Sequence, residues 1–229
     1  MTPQEIENIN MFIDQMTQVT VRIVKRDSSD NIIGMASGFL YQPDEDYLPI
    51  VITAGHKTPE KGCFIETTIR KDGQPLCVNA GEFTVFYSHK DVDYAYSHLP
   101  IDLIKRDIEG IANVEIITYR HKFVKAKKKE AYGFAVWNDY EFVKMGNTLS
   151  LPRYCCYEVG LTLVKQDEHI NYFETARPIQ DHEYYRGASG SPVADPEGKI
   201  TGILIGGTDP IEHLRVFRLD NIDLPTNKL

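Results

Sequence analysis

Gly187-Ala188-Ser189-Gly190-Ser191-Pro192-Val193 is a serine framed by glycines and running into a proline and a β-branched residue. A hydroxyl is a weak nucleophile at neutral pH and attacks a carbonyl only with a base beside it to take the proton. Far upstream, Val51-Ile52-Thr53-Ala54-Gly55-His56 is a β-type run ending in an imidazole, the side chain whose titration range suits that base. Between the two, Asp93-Tyr94-Ala95-Tyr96 places a carboxylate at the start of a short mixed run. A carboxylate on the far ring nitrogen of a histidine fixes its tautomer and stabilises the imidazolium. Gly187 lets the N–H groups of Gly187 and Ser189 converge on one point, where an oxyanion would form, and Gly190 keeps the next strand close. The order is His56, Asp93, Ser189, with spacings of 37 and 96 residues. Ser189 is thus read as nucleophile, His56 as base and Asp93 as its orienting acid. Asp91, also followed by an apolar residue, is the rival for Asp93, which is preferred because Ala95 stands two positions after it.

Around these residues the chain is a succession of short β-type runs: Val19–Val24, Ala36–Tyr41, Pro49–Thr53, Phe64–Ile69, Phe83–Tyr87, Val114–Tyr119, Tyr157–Val164, Ile200–Ile205 and Arg215–Leu219. Turn clusters such as Asp195-Pro196-Glu197-Gly198 separate them. Many short strands without intervening helices predict an antiparallel all-β sandwich or barrel protein. One helix is expected ahead of them. Thr2-Pro3-Gln4-Glu5 has a cap, a proline at the first helical position and a glutamate three residues on, and Ile6, Ile9, Ile13 and Met16 then recur at helical spacing.

Composition narrows the partners. The chain has 229 residues, with 33 Asp+Glu against 25 Lys+Arg and a formal net charge of −8. That balance opposes a surface built to neutralise nucleic-acid phosphates or anionic lipid. The one basic run, Lys125–Lys129, lacks aromatics for base stacking and reads as a solvated loop. No apolar run approaches the ~20 residues that cross a bilayer, and no signal peptide is evident, so a cytoplasmic protein without a membrane anchor is expected. Cys63, Cys77, Cys155 and Cys156 are too few for a disulfide framework. Reduced thiols are the expectation, Cys63 with Cys77 across the Lys71-Asp72-Gly73 turn being the one pairing the sequence would permit. The histidines form no metal-binding spacing, and neither a metal nor a cofactor is expected. An α/β-hydrolase is excluded by the order of the three residues and by Ser191 where G-x-S-x-G needs its last glycine. No cysteine stands in a glycine-framed elbow.

These residues resemble the chymotrypsin/trypsin-like serine proteases. Thr53-Ala54-Gly55-His56 is similar to that family's TAAH, Asp93-Tyr94-Ala95-Tyr96 to its D-I-A-L and Gly187–Pro192 to its G-D/N-S-G-G/S-P. Ser37-Gly38-Phe39-Leu40 and Gly202–Gly207 sit where the family places the strand before the histidine and the strand lining the primary pocket. The resemblance runs from about Val19 to Ile222. It implies two perpendicular six-stranded antiparallel β-barrels with the triad between them. The expected division is an N-terminal helix over 1–18, a first barrel half over 19–118 with His56 and Asp93, and a second over 119–229 with Ser189. It also implies a serine endopeptidase acting on protein or peptide substrates through an acyl-enzyme, with an oxyanion hole of Gly187 and Ser189. A monomer is the default. A protein-binding module that has lost turnover, and the protease domain of a larger regulated intracellular system, are the alternatives.

Two departures bear on type. Ala188 stands where digestive members carry the aspartate that pairs with a freed N-terminus, so no such ion-pair activation is expected. The motif style is nearer to bacterial, glutamyl-endopeptidase-like members, but Leu204 stands where their pocket strand has histidine. The pocket residues implied are Glu183, Ile205 and Gly207. Glu183 lies six residues before Ser189, where an acidic residue goes with a preference for Lys or Arg. In the other reading Glu183 faces solvent and a tyrosine of Tyr184-Tyr185 fills the pocket.

Overall fold

The structure, a computed structural model, describes residues 1–26, 28, 32–44, 46–58, 62–71, 74–88, 92–99, 119–139, 143–145, 148–150, 153–179, 183–208 and 213–224. The first half contains β1 (Thr20–Arg26), β2 (Ile32–Tyr41), β3 (Ile50–Thr53), β4 (Cys63–Lys71), β5 (Gln74–Asn79), β6 (Thr84–Ser88) and β7 (Val92–His98). They form one antiparallel sheet in the order β5-β4-β1-β2-β3-β7-β6. In β7 the alternation is strict: Asp93, Ala95 and Ser97 are buried, and the residues between them are half-buried.

Seven strands stand where six were expected, and the reason is local. β5 and β6 lie at opposite ends of the strand order yet are only four residues apart in sequence. The residue that follows β5, Ala80, donates its N–H to the Cys63 carbonyl of β4 at 3.0 Å and accepts the Ser97 hydroxyl of β7 at 2.6 Å. The connection thus bridges both ends of the sheet. The sheet curls round on itself through the segment Ala80–Phe83, in which Gly81 adopts φ +79°.

The second half is a closed six-stranded barrel, β11-β12-β15-β14-β13-β8, of β8 (Ala131–Asp139), β11 (Arg153–Gln166), β12 (Ile170–Glu174), β13 (Pro192–Ala194), β14 (Ile200–Gly207) and β15 (Leu214–Arg218). A small hairpin, β9 (Val143–Met145) with β10 (Thr148–Ser150), is separate from it. The predicted strand Val114–Tyr119 lies outside the described residues except for Tyr119, which forms a parallel bridge to Tyr41 and takes the N–H of Gln42.

The predicted helix is α1, Pro3–Val19. Its capping box is complete: Glu5 N–H donates to Thr2 Oγ1 at 3.2 Å, and the Thr2 N–H donates to Glu5 Oε2 at 2.6 Å. Only the last turns are packed. Met16 is buried, and the Phe12 ring lies so close to Gly133 of β8 that a side chain there would meet it.

Buried apolar residues gather in three groups. Ile23, Leu40, Val51, Ala95 and Phe83 fill the first half, and Phe134, Leu161, Val193, Leu204 and Val216 fill the second. Phe39, Ile50, Ile52, Tyr119, Ile170, Ile203 and Phe217 make a third group, drawn from both halves. This seam fixes the halves against each other, and the candidate site opens from it.

Register removes the one cysteine pairing that the sequence would permit. In the β4–β5 ladder Cys77 stands opposite Glu66, while Cys63 is level with Ala80. The two cysteines are three rungs apart, about 10 Å at ~3.3 Å per residue, beyond disulfide reach. The side chain of Cys77 lies outside the described residues.

Candidate active site

His56 follows β3, in a single 3-10 turn spanning Gly55–Lys57. The turn lies hard against β6 and β7, where a Cβ on Gly55 would come within 2.8 Å of the Phe86 carbonyl and 2.9 Å of that of Tyr94. A glycine at this position is therefore required by the close approach. Asp93 enters from the start of β7 and is 8% exposed. Its two oxygens are both used: Oδ2 is 2.7 Å from His56 Nδ1, and Oδ1 accepts the His56 backbone N–H at 2.8 Å. One carboxylate so fixes the backbone and the ring of the same histidine.

A carboxylate can only accept, so the proton of the neutral imidazole resides on Nδ1. That leaves Nε2 as an acceptor, and Ser189 Oγ lies 3.1 Å from it. Nucleophile, base and orienting acid are in a continuous hydrogen-bonded line. Asp91 lies outside the described residues.

Ser189 sits in a tight loop ahead of β13. The Ala188 N–H donates to Tyr185 C=O at 3.0 Å, Ser191 N–H to Ala188 C=O at 2.9 Å and Gly190 N–H to Leu204 C=O at 2.7 Å. Gly187 has φ +84° and Gly190 φ +93°. At Gly190 a Cβ would lie 2.0 Å from the Ser37 carbonyl, so no other residue lets β2 approach the loop this closely. Ala188 is wholly buried among the apolar residues of the second half, which anchor this loop. Among the described residues, neither the Gly187 nor the Ser189 N–H has an acceptor.

The pocket residues divide. Ile205 is buried at the end of β14, next to Gly206 (φ +135°) and Gly207. Glu183 begins a 3-10 turn, Glu183–Tyr185, but its side chain lies outside the described residues. Tyr185 is half-buried, packs against the second-half core and donates its hydroxyl to Glu158 Oε1 at 2.7 Å. Tyr184, more exposed, bonds the Tyr157 backbone at 3.2 Å on both its N–H and C=O.

Cys155 and Cys156 lie on β11, where burial pushes both thiols up, Cys156 strongly, and so away from thiolate chemistry. Among the described residues no group of His, Cys, Asp and Glu could hold a metal ion, and no helix is long and apolar enough to cross a membrane.

No protein-family profile matches the chain, and no curated protein matches it in sequence. Solved structures do. A scabies mite inactivated protease paralogue matches with a TM-score of 0.58 at 12% identity, over 90% of this chain and 88% of that one. A catalytically inactive tobacco etch virus protease complexed with substrate matches with 0.52 at 13% identity, over 90% and 80%. The serine endoprotease from Yersinia pestis matches with 0.51 at 12% identity, over 92% and 61%. The fold is trypsin-like. At such identities likeness speaks for the backbone only, and two of these chains are themselves described as inactive or inactivated. What this trypsin-like chain does has to be argued from its own side chains.

Ser37 and Thr53, legible in the sequence only as members of strand motifs, are both buried hydroxyls that bond within the site. Ser37 Oγ donates to Gly187 C=O at 2.7 Å, and Thr53 Oγ1 donates to Ser37 C=O at 2.6 Å. The available signal was a polar residue at an inward position of each strand.

Proposed function

We propose that the chain is a serine endopeptidase. Ser189 attacks the scissile carbonyl, His56 takes the proton and returns it to the leaving amine, and Asp93 holds His56 in the productive tautomer. The N–H groups of Gly187 and Ser189 receive the oxyanion, and water resolves the acyl-enzyme by the reverse sequence of proton transfers. The observation that carries this reading is the unbroken line Asp93–His56–Ser189, with contacts of 2.7 and 3.1 Å. A binding module without turnover would have no use for a half-buried hydroxyl poised on the free nitrogen of an oriented imidazole.

Within that reading, Tyr185 supports a pocket backed by a tyrosine rather than one floored by Glu183. Leu204 supports no glutamyl preference, since it is 2% exposed in the second-half core and offers no donor to an acidic substrate. The substrate is a protein or peptide, the two barrel halves are the units of the chain, and no resident cofactor takes part.

The test is labelling of the whole chain with a fluorophosphonate, which traps activated serines. Covalent labelling that disappears in Ser189→Ala and in His56→Ala is the expected result. Absence of Ser189-dependent labelling would sink the peptidase and leave the binding module.

A further inference from the structure

Ser37 has three hydrogen-bonding groups, and all three are committed at the seam of the molecule. Its N–H donates to the Ser189 carbonyl at 2.8 Å, its hydroxyl to the Gly187 carbonyl at 2.7 Å, and its own carbonyl accepts Thr53 Oγ1 at 2.6 Å. The residue is 1% exposed. One strand residue of the first half therefore grips the nucleophile loop of the second half at two points, on either side of Ala188.

The backbone bond to Ser189 would be made by any residue other than proline. The hydroxyl bond to Gly187 is specific to Ser37, and it falls at the softest point of the loop. Gly187, at φ +84°, has no Cβ to restrict rotation of the peptide that follows it. That peptide is held on one edge by Ala188 N–H to Tyr185 C=O and on the other by Gly187 C=O to Ser37 Oγ. With both edges held, the loop keeps the arrangement in which the N–H groups of Gly187 and Ser189 have no acceptor among the described residues. With the Ser37 edge released, the peptide turns at low cost, and the two donors no longer converge.

We infer that Ser37 is a positioning residue for acyl transfer, whose hydroxyl orients the Gly187–Ala188 peptide from the opposite half of the molecule and so preorganises the oxyanion donors. The inference rests on the peptidase reading. Ser37 touches neither substrate nor the reacting atoms, and its effect lies on stabilisation of the tetrahedral state rather than on the His56–Asp93 pair. Misaligning one such donor costs about 10- to 100-fold, somewhat less than deleting one outright.

The experiment measures the rate of fluorophosphonate inactivation of the full chain, whose tetrahedral adduct calls on the same donors, together with the downfield proton resonance of His56 Nδ1–H. Ser37→Ala should slow inactivation about 10- to 100-fold while leaving that resonance in place, and Ser37→Thr, which restores a hydroxyl, should recover most of the rate. Wild-type speed in Ser37→Ala overturns the inference. So does a Thr variant as slow as the Ala variant, or loss of the His56 resonance along with the rate, which would mark general disruption. Should the Ala variant not fold, Ser37→Cys keeps the volume with a weak donor, and wild-type speed there is equally fatal. A wild type that is not labelled through Ser189 defeats the peptidase reading itself. Labelled wild type with an unaffected Ser37→Ala defeats only the role of Ser37.

Discussion

Tyr185 shows how much one side chain decides. Its ring packs with Phe134, centroids 6.3 Å apart, and its hydroxyl is held by Glu158. Burial, with the neighbouring Glu158 carboxylate, pushes the phenol well above its ordinary range, so the group is a neutral donor at any working pH. On the proposed peptidase reading, a neutral, hydrogen-bonded ring there would shape a substrate pocket by size rather than by charge. A peptide-library cleavage profile should therefore show the same preference before the cut in Glu183→Ala as in wild type. In Tyr185→Ala the preference should broaden towards larger side chains. A Lys or Arg preference that vanishes in Glu183→Ala would place the specificity on Glu183 instead. The sequence alone left both readings open, because spacing from Ser189 locates both residues but does not tell which one turns inward.

Helix α1 is the element whose two ends have different work. Ile6 and Met11 are exposed at 45% and 65%, whereas Met16 is buried against the seam and the Thr20 hydroxyl reaches Ala135 C=O at 3.2 Å. Capping determines where the helix starts, and its last turns tie it to β8. Met16→Ala removes a fully buried side chain and should cost about 2–5 kcal/mol in a denaturant titration. Because no hydrogen bond among the described residues joins α1 to the triad, the folded fraction should still label through Ser189 at wild-type speed in the cold. The helix was legible in the sequence from its cap and its apolar spacing. β6 was legible as Phe83–Tyr87, but β5 was not, and a connection that joins two edges of a sheet has no local signature. β8 and β12 were missed as well: Ala131–Asp139 mixes glycine and alanine with aromatics, and Ile170–Glu174 is only five residues long.

At the scale of the whole molecule, the seam between the halves is held by Tyr119 as well as by aliphatic packing. Its ring meets Phe39 edge-on at 6.2 Å and stacks on Phe123 at 5.7 Å, and its hydroxyl accepts the buried Ile200 N–H at 3.0 Å. Burial raises its pKa to about 12, against an opposing pull from the Ile200 hydrogen bond. The folded state thus prefers the neutral phenol, and the unfolded chain loses the proton first. Stability from this group is complete below pH ~10 and is lost as pH rises towards 12. Urea midpoints should fall over that window, and Tyr119→Phe should flatten the fall. At pH 8 the same variant should be less stable by about 1–3 kcal/mol, because the Ile200 N–H is left unpaired. An unchanged alkaline slope in Tyr119→Phe would assign the loss to other tyrosines, of which Tyr132 is also raised to about 12.

The sequence by itself determined the chemistry on offer and the class of fold. Glycine-framed Ser189, His56 at the end of a β-run and Asp93 at the start of another are local facts, and the strand runs carry their own period. Tertiary structure decided what no local pattern holds: which oxygen of Asp93 meets which nitrogen, which connection joins two edges of the first sheet, and that Ser37, 150 residues from Gly187, grips its carbonyl. The physical reason is that apolar alternation specifies burial but not partners. A hydrogen bond between the two halves exists only after the seam has packed, and its residues look in the sequence like any other small polar side chain on a strand.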